Sequence, residues 1–198
     1  MRSFTVLSSA AAPILLIGGW TLAEQLQAPA FDPLRDTISA LAALDATHRG
    51  VMTVALIGTG FAYLCTAVGL TEISRISRLL IALGGVGTVL VAAFPLPAKA
   101  TAHAVFATIA FLSLAIWPFF APTGPSGAPR TLRRPLTVVA GLTLLTLVVW
   151  FGITQQAGGL VGLTERLAAG AQALWPLIVA LSLQATSASR SRQPAASL

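Results

Sequence analysis

The sequence predicts an all-α polytopic membrane protein, a six-transmembrane-helix bundle with a short amphipathic helix in its first outer loop. Three observations predict it. Only 9% of the 198 residues are charged and the mean hydropathy is +0.84, whereas a soluble domain carries about 25% charged residues on its surface. Six stretches lack Asp, Glu, Lys and Arg: Ser3 to Ala23, Gly50 to Thr71, Leu79 to Ala98, Ala100 to Pro129, Pro135 to Thr164 and Leu167 to Ser189. Each supplies the roughly 20 apolar residues that carry a helix across about 30 Å of hydrocarbon. Finally, five of the six carboxylates gather on one side of the resulting zigzag. Barrel strands are excluded, because the runs are too long and do not alternate, and an open sheet edge cannot be satisfied in lipid.

In chain order the spans fall at about 3–23, 50–71, 79–98, 102–122, 135–156 and 165–186, so residues 1–186 form one domain. The first span resembles a signal peptide in having Arg2 before an apolar run, but that run is longer than a signal core and is expected to be retained. The gaps Thr71 to Arg78 and Ala98 to Thr101 are tight, which makes spans two, three and four antiparallel neighbours. Pro122 to Arg134, rich in Pro, Gly and Arg, reads as a mobile loop. The tail 187–198, rich in Ser and Ala, is expected to be disordered.

Basic residues set the orientation. Arg2, Arg75, Arg78, Arg130, Arg133, Arg134, Arg190 and Arg192 lie on the side of the termini, against Arg35, Arg49, Lys99 and Arg166 on the other. Lys and Arg are retained in cytoplasmic loops, so both termini are expected in the cytoplasm and the carboxylates outside the cell membrane. The net charge of +6 is then mostly an orientation signal with some attraction to anionic lipid heads; no basic patch with interleaved aromatics marks a nucleic-acid partner.

Within the spans, Gly58, Gly60, Gly84, Gly85 and Gly87 mark close helix contacts rather than a phosphate loop, since no Lys follows them. Pro118 and Pro176 are expected to kink spans four and six. Trp20 and Trp150 suit an interfacial belt. The single cysteine, Cys65, excludes an intramolecular disulfide and reads as a small buried apolar residue. No HExxH or thiolate pair supports a metal site, a haem held by the two histidines is not favoured, and no cofactor is implied.

Only the outer gap from Glu24 to Arg49 is long enough to fold. Asp32-Pro33 supplies an N-cap and a first-turn proline. From there Leu34, Ile38 and Leu41 take one face and Asp32, Arg35, Asp36 and Ser39 the opposite one, predicting an interfacial helix. The run Pro29 to Leu41 (PAFDPLRDTISAL), with Phe94-Pro95 before His103 and Gly162 to Arg166 (GLTER), resembles a family of six-span bacterial integral membrane proteins catalogued as a domain of unknown function. Relatives often have Glu where this chain has Ala40. The resemblance implies the six-span fold and a shared set of polar positions, with no activity attached.

Those positions fall at one depth. Asp36 and Ser39 lie on the loop helix, His103 at the outer start of span four, and Glu165 with Arg166 at that of span six; Glu24, His48 and Arg49 flank them. Ionisable groups at membrane depth are costly unless paired or facing a wet cavity, so the cluster marks a candidate site. Gln172 lies seven residues after Glu165 and Trp175 continues that face about 13 Å below Arg166. Plain structural roles compete: Arg166 pairing with Asp36 or Glu165, Asp32 as a cap, His48 as an interfacial residue. Three function classes follow. The favoured one is an outward-facing polar pocket for a lipid headgroup or small polar or anionic solute, serving sensing, lipid handling or transport, with Arg166 as anion contact and Asp36, Ser39 and His103 as hydrogen-bonders. The second is an intramembrane hydrolase with Ser39 as nucleophile, His103 as base and Asp36 or Glu165 orienting the imidazole. The third is a structural subunit. The cytoplasmic halves of the spans carry no charge, which speaks against an ion-coupled pump.

Overall fold

The computed structural model describes residues 2, 4–121 and 128–191. Six long helices make it up: α1 (Thr5–Gln25), α2 (Gly50–Gly69), α3 (Arg75–Ala93), α4 (Ala100–Ile116), α5 (Arg134–Ala157) and α6 (Val161–Ser191). All are long and apolar enough to cross a membrane when α4 is counted with the 3-10 turn Trp117–Phe120 that extends it. Each helix packs on its neighbours in sequence and α6 returns to α1, so the bundle is a closed antiparallel ring. Its loosest seam lies between α4 and α5. The outward faces are apolar, with Leu7 75% and Leu79 69% exposed, as lipid contact requires. This is an integral membrane protein of six helices.

Small residues set the tightest seams. A Cβ on Gly60 would stand 2.6 Å from the Gly85 carbonyl oxygen, and one on Gly85 would stand 2.7 Å from that of Gly60. The backbones of α2 and α3 therefore meet where dispersion, not the hydrophobic effect, drives association. Gly87 does the same for α4, where a Cβ would meet Ala110 and the Phe106 carbonyl at 3.0 Å.

The end of the bundle that holds the arginines is tied by capping. Ser74 accepts from the Ser77 amide at the start of α3, and the Ser77 hydroxyl donates to the Trp117 carbonyl. Arg78 donates to the Ala67 and Val68 carbonyls, satisfying the open C-terminus of α2. At the opposite, carboxylate-bearing end, α5 stops at Gly158, whose φ of +80° is one that glycine adopts without strain.

Several expectations change. The loop helix contracts to a 3-10 turn, Ser39–Ala42. Asp32 caps only a local turn, its Oδ1 accepting from the Leu34 amide, and Leu34 is exposed while Ile38 and Leu41 are buried. The anticipated stripe fails at its first member because the segment is bent onto α6 instead of lying flat. Trp20 is buried against Gly170 and is not an interfacial anchor, whereas Trp150 is exposed. Cys65 faces outward. At Pro118 the helix tightens from α to 3-10, and Pro176 lies inside an unbroken α6. Part of the anticipated mobile loop, 122–127, and the tail from 192 lie outside the described residues; the described part of that tail continues α6.

Candidate functional site

The first turn of α6 grips the loop segment 33–39. The Leu163 amide donates to the Leu34 carbonyl at 3.0 Å. Gly162 has no room for a Cβ, which would strike the Asp36 carbonyl and stand 2.5 Å from that of Pro33. Glu165 accepts the Ile38 amide on Oε2. The two sequence motifs of loop and sixth helix are thus one structural unit.

Arg166 completes that unit. Its Nε donates to Glu24 Oε1 at 2.7 Å, Nη1 donates to the Asp36 and Gly162 carbonyls at 2.8 Å, and Nη2 stands 2.5 Å from the same Glu24 oxygen as an ion pair without hydrogen-bond alignment. The guanidinium therefore joins α1, the loop and α6. Its carboxylate partner is Glu24, in place of the expected Asp36 or Glu165. Asp36 serves the loop itself, with Oδ2 accepting from the Asp32 amide at 2.8 Å.

A second polar chain adjoins this lock. His103 is buried one turn into α4. Its Nδ1 lies 2.9 Å from the Phe94 carbonyl at the end of α3, and its Nε2 lies 3.0 Å from Ser39 Oγ. The carbonyl can only accept, so Nδ1 carries a proton and donates. Ser39 Oγ lies in turn 3.3 Å from Glu165 Oε1. The order is histidine, serine, carboxylate, with the serine in the middle; the imidazole is oriented by a backbone carbonyl and not by a carboxylate.

Two spaces meet at this chain. A groove of about 540 Å³ between α4 and α5 is lined at its upper end by Thr37, Ser39, His103, Gln155, Gln156 and Glu165 and lower down by Ala107, Thr108, Phe111, Leu112 and Val148. A chamber of about 60 Å³ in the bundle centre is walled mostly by apolar side chains such as Leu16, Leu56 and Leu114, with Thr59, Tyr63, Thr88, Gln172 and, again, Ser39 and Glu165 as its polar lining. Such a volume admits a few water molecules. Thr59 Oγ1, fully buried, has no partner among the described residues. Ser39, Ala107, Phe111 and Glu165 line both and form the partition, with Ser39 and Glu165 its polar members.

Of the residues singled out in the sequence, Ser39, His103 and Glu165 come together. Asp36 and Arg166 adjoin them but are spent on the lock. Gln172 is buried and donates to the Phe111 carbonyl at 2.8 Å, joining α6 to α4 beneath the partition. Trp175 lines neither space, and its Nε1 finds no partner among the described residues. His48 is exposed, at a left-handed φ of +51°. Among the described residues no group of three or more His, Cys, Asp or Glu could hold a metal ion. Sequence reasoning missed Gln155 and Gln156, although two adjacent amides ending an apolar span were a visible signal, and it missed Thr59 and Tyr63, which nothing in the sequence distinguishes from packing residues.

The family model described as "Protein of unknown function (DUF998)" matches residues 9–182. The chain belongs to that family. The matched stretch reaches from α1 into α6 and so takes in the DUF998 lock, the polar chain and both spaces. No curated protein and no solved structure matches the chain.

Proposed function

We propose that this protein binds an amphiphile, a lipid or lipid-like solute, in the groove between α4 and α5. It does so in the cytoplasmic membrane, with both termini in the cytoplasm and the groove opening at the outer leaflet, as the arginine distribution favours. The observation that carries the reading is the grading of the groove. Its upper end offers hydroxyl, imidazole, amide and carboxyl groups, and its lower walls are Ala, Leu, Val and Phe with one threonine, Thr108, whose hydroxyl is turned back onto the Ala104 carbonyl. A molecule with a polar head and an apolar tail satisfies both halves at once. Gly152 on the α5 wall leaves the side open, since a Cβ there would touch nothing within 4 Å. A ligand already in the bilayer gains little from moving its tail between helices, so selectivity rests on the head and on Ser39, His103 and Glu165.

The 3.0 Å approach of Ser39 Oγ to His103 Nε2 also supports a second reading, hydrolysis of an acyl bond. It is weaker because the amides that could hold an oxyanion are spent. The Ile38 and Ser39 amides are on Glu165, that of Ala40 on Thr37, and that of Leu41 on the Ile38 carbonyl.

The test is native mass spectrometry of protein released from nanodiscs, comparing wild type with Gly152→Trp. Wild type should keep an amphiphile adduct that the variant loses. Equal retention in both would remove the groove as the binding place.

A further inference from the structure

Hydrogen counting along the polar chain leads beyond amphiphile binding. His103 donates Nδ1–H to the Phe94 carbonyl, so its Nε2 faces Ser39 without a proton when the ring is neutral. Ser39 has one hydroxyl hydrogen and stands between two acceptors, Nε2 at 3.0 Å and Glu165 Oε1 at 3.3 Å. Both contacts are satisfied only when the chain holds one further proton, on the carboxyl or on the imidazole. In either form the chain is neutral overall, which is the arrangement that an interior at membrane depth tolerates. Without that proton the chain of Glu165, Ser39 and His103 carries one net negative charge.

The one cation beside it, the Arg166 guanidinium of the next residue, gives only partial compensation because it is committed to other partners. From α1, Glu24 is spent on Arg166, and Arg166 itself is turned away from the groove onto Glu24 and the Asp36 and Gly162 carbonyls. From the loop, the Asp36 carboxylate holds the Asp32 amide. The α2 and α3 helices present the hydroxyls of Thr59, Tyr63 and Thr88, and α5 presents the neutral amides of Gln155 and Gln156. No Lys or Arg is among the described residues lining the groove. An anionic phosphate head would therefore meet a carboxyl with no cation in the described lining of the groove to answer it.

We infer that the groove selects amphiphiles with a cationic head, and that the head takes the place of the proton shared by Glu165, Ser39 and His103. The exchange balances. The ammonium brings one positive charge against the Glu165 carboxylate, one proton leaves the chain for water, and the charge of the site is unchanged. The inference rests on the groove reading above and names its ligand class and the ion to which binding is coupled.

The experiment uses the full chain in nanodiscs and two probes with dodecyl-length tails: dodecyltrimethylammonium, which has no ionisable proton of its own, and uncharged monolauroylglycerol. Isothermal titration in buffers of different ionisation enthalpy, corrected with empty nanodiscs, reads the protons released. Wild type should release about one proton per dodecyltrimethylammonium bound and none with monolauroylglycerol. Glu165→Gln, whose amide oxygen can still accept the Ile38 amide, should release none. Gly152→Trp should bind neither probe, and it serves as the reference if Glu165→Gln does not fold. Cationic binding without proton release in wild type, or release that persists in Glu165→Gln, overturns the exchange and leaves the groove reading standing. Failure of both probes to bind wild type beyond empty nanodiscs overturns the groove reading itself.

Discussion

Two polar regions share the carboxylate-bearing end of this bundle, at one depth and each built around a glutamate, yet they differ in what their hydrogen bonds face. In the lock between α1, the loop and α6, Nε and Nη1 of Arg166 have protein partners and Nη2 is paired with Glu24. A few ångströms away, the Glu165 carboxyl, Ser39 and His103 are bonded on one side and border a groove and a chamber on the other. A costly polar cluster in a membrane can thus be divided between holding the fold and meeting a ligand. What separates the two is completeness of pairing. Glu165 belongs to both, since Oε2 holds the loop and Oε1 faces the chain.

The sharpest way to break the comparison is to unpair the lock. Arg166→Ala strands Glu24, whose side chain is 19% exposed, and releases the Asp36 carbonyl. Removing one partner of a buried ion pair costs about 3–5 kcal/mol, so thermal unfolding of the purified protein should fall by a large margin. An unchanged melting temperature would mean that the lock is not structural. Arg166→Lys should recover part of the loss, because an ammonium can meet Glu24 but cannot span Glu24 and both carbonyls at once. Filling the groove should do the reverse. Gly152→Trp should weaken amphiphile binding at least tenfold, about 1.4 kcal/mol, with the melting temperature hardly moved. Coupled loss of both would show that the two regions are one.

A smaller effect sharpens the boundary below the partition. Gln172→Leu removes the hydrogen bond to the Phe111 carbonyl, worth about 1 kcal/mol. Its cost should fall on stability alone, since the side chain lines the chamber and not the groove. A change in ligand affinity of equal size would make chamber and groove a single site.

How much of this was legible in the sequence follows the same division. The spans, the close approach of Gly60 to Gly85 and the gathering of carboxylates at one end were readable because hydrophobic length, small residues and charge act locally along the chain. The partners were not. Periodicity put Asp32, Arg35, Asp36 and Ser39 on a common stripe, but tertiary pull from α6 bends the segment, so that Ser39 turns inward while Arg35 pairs with Asp32 in solvent. Arg166 has five donors and several carboxylates at its depth, and nothing in the spacing selects Glu24, 142 residues away. The groove was invisible for a different reason. It arises where α4 and α5 fail to pack closely, and a missing contact leaves no mark in composition.

The smallest change decides what the open side is for. Ser39→Ala removes the one hydroxyl between His103 and Glu165. If the groove only binds, the loss is one hydrogen bond in a partly hydrated setting, about 1 kcal/mol or some fivefold in affinity. A hydrolase with Ser39 as nucleophile would instead lose several orders of magnitude in rate. The same variant separates the hydroxyl from the proton it passes on. With Ser39 gone, His103 and Glu165 are no longer linked by that hydroxyl, so proton release on binding dodecyltrimethylammonium should persist from Glu165 but cease to depend on the imidazole. Adding His103→Gln to Ser39→Ala should then leave that release unchanged, whereas His103→Gln alone should alter its pH profile. Equal responses in the two backgrounds would mean that the serine does not connect them, and the Ser39 contacts would then be packing alone.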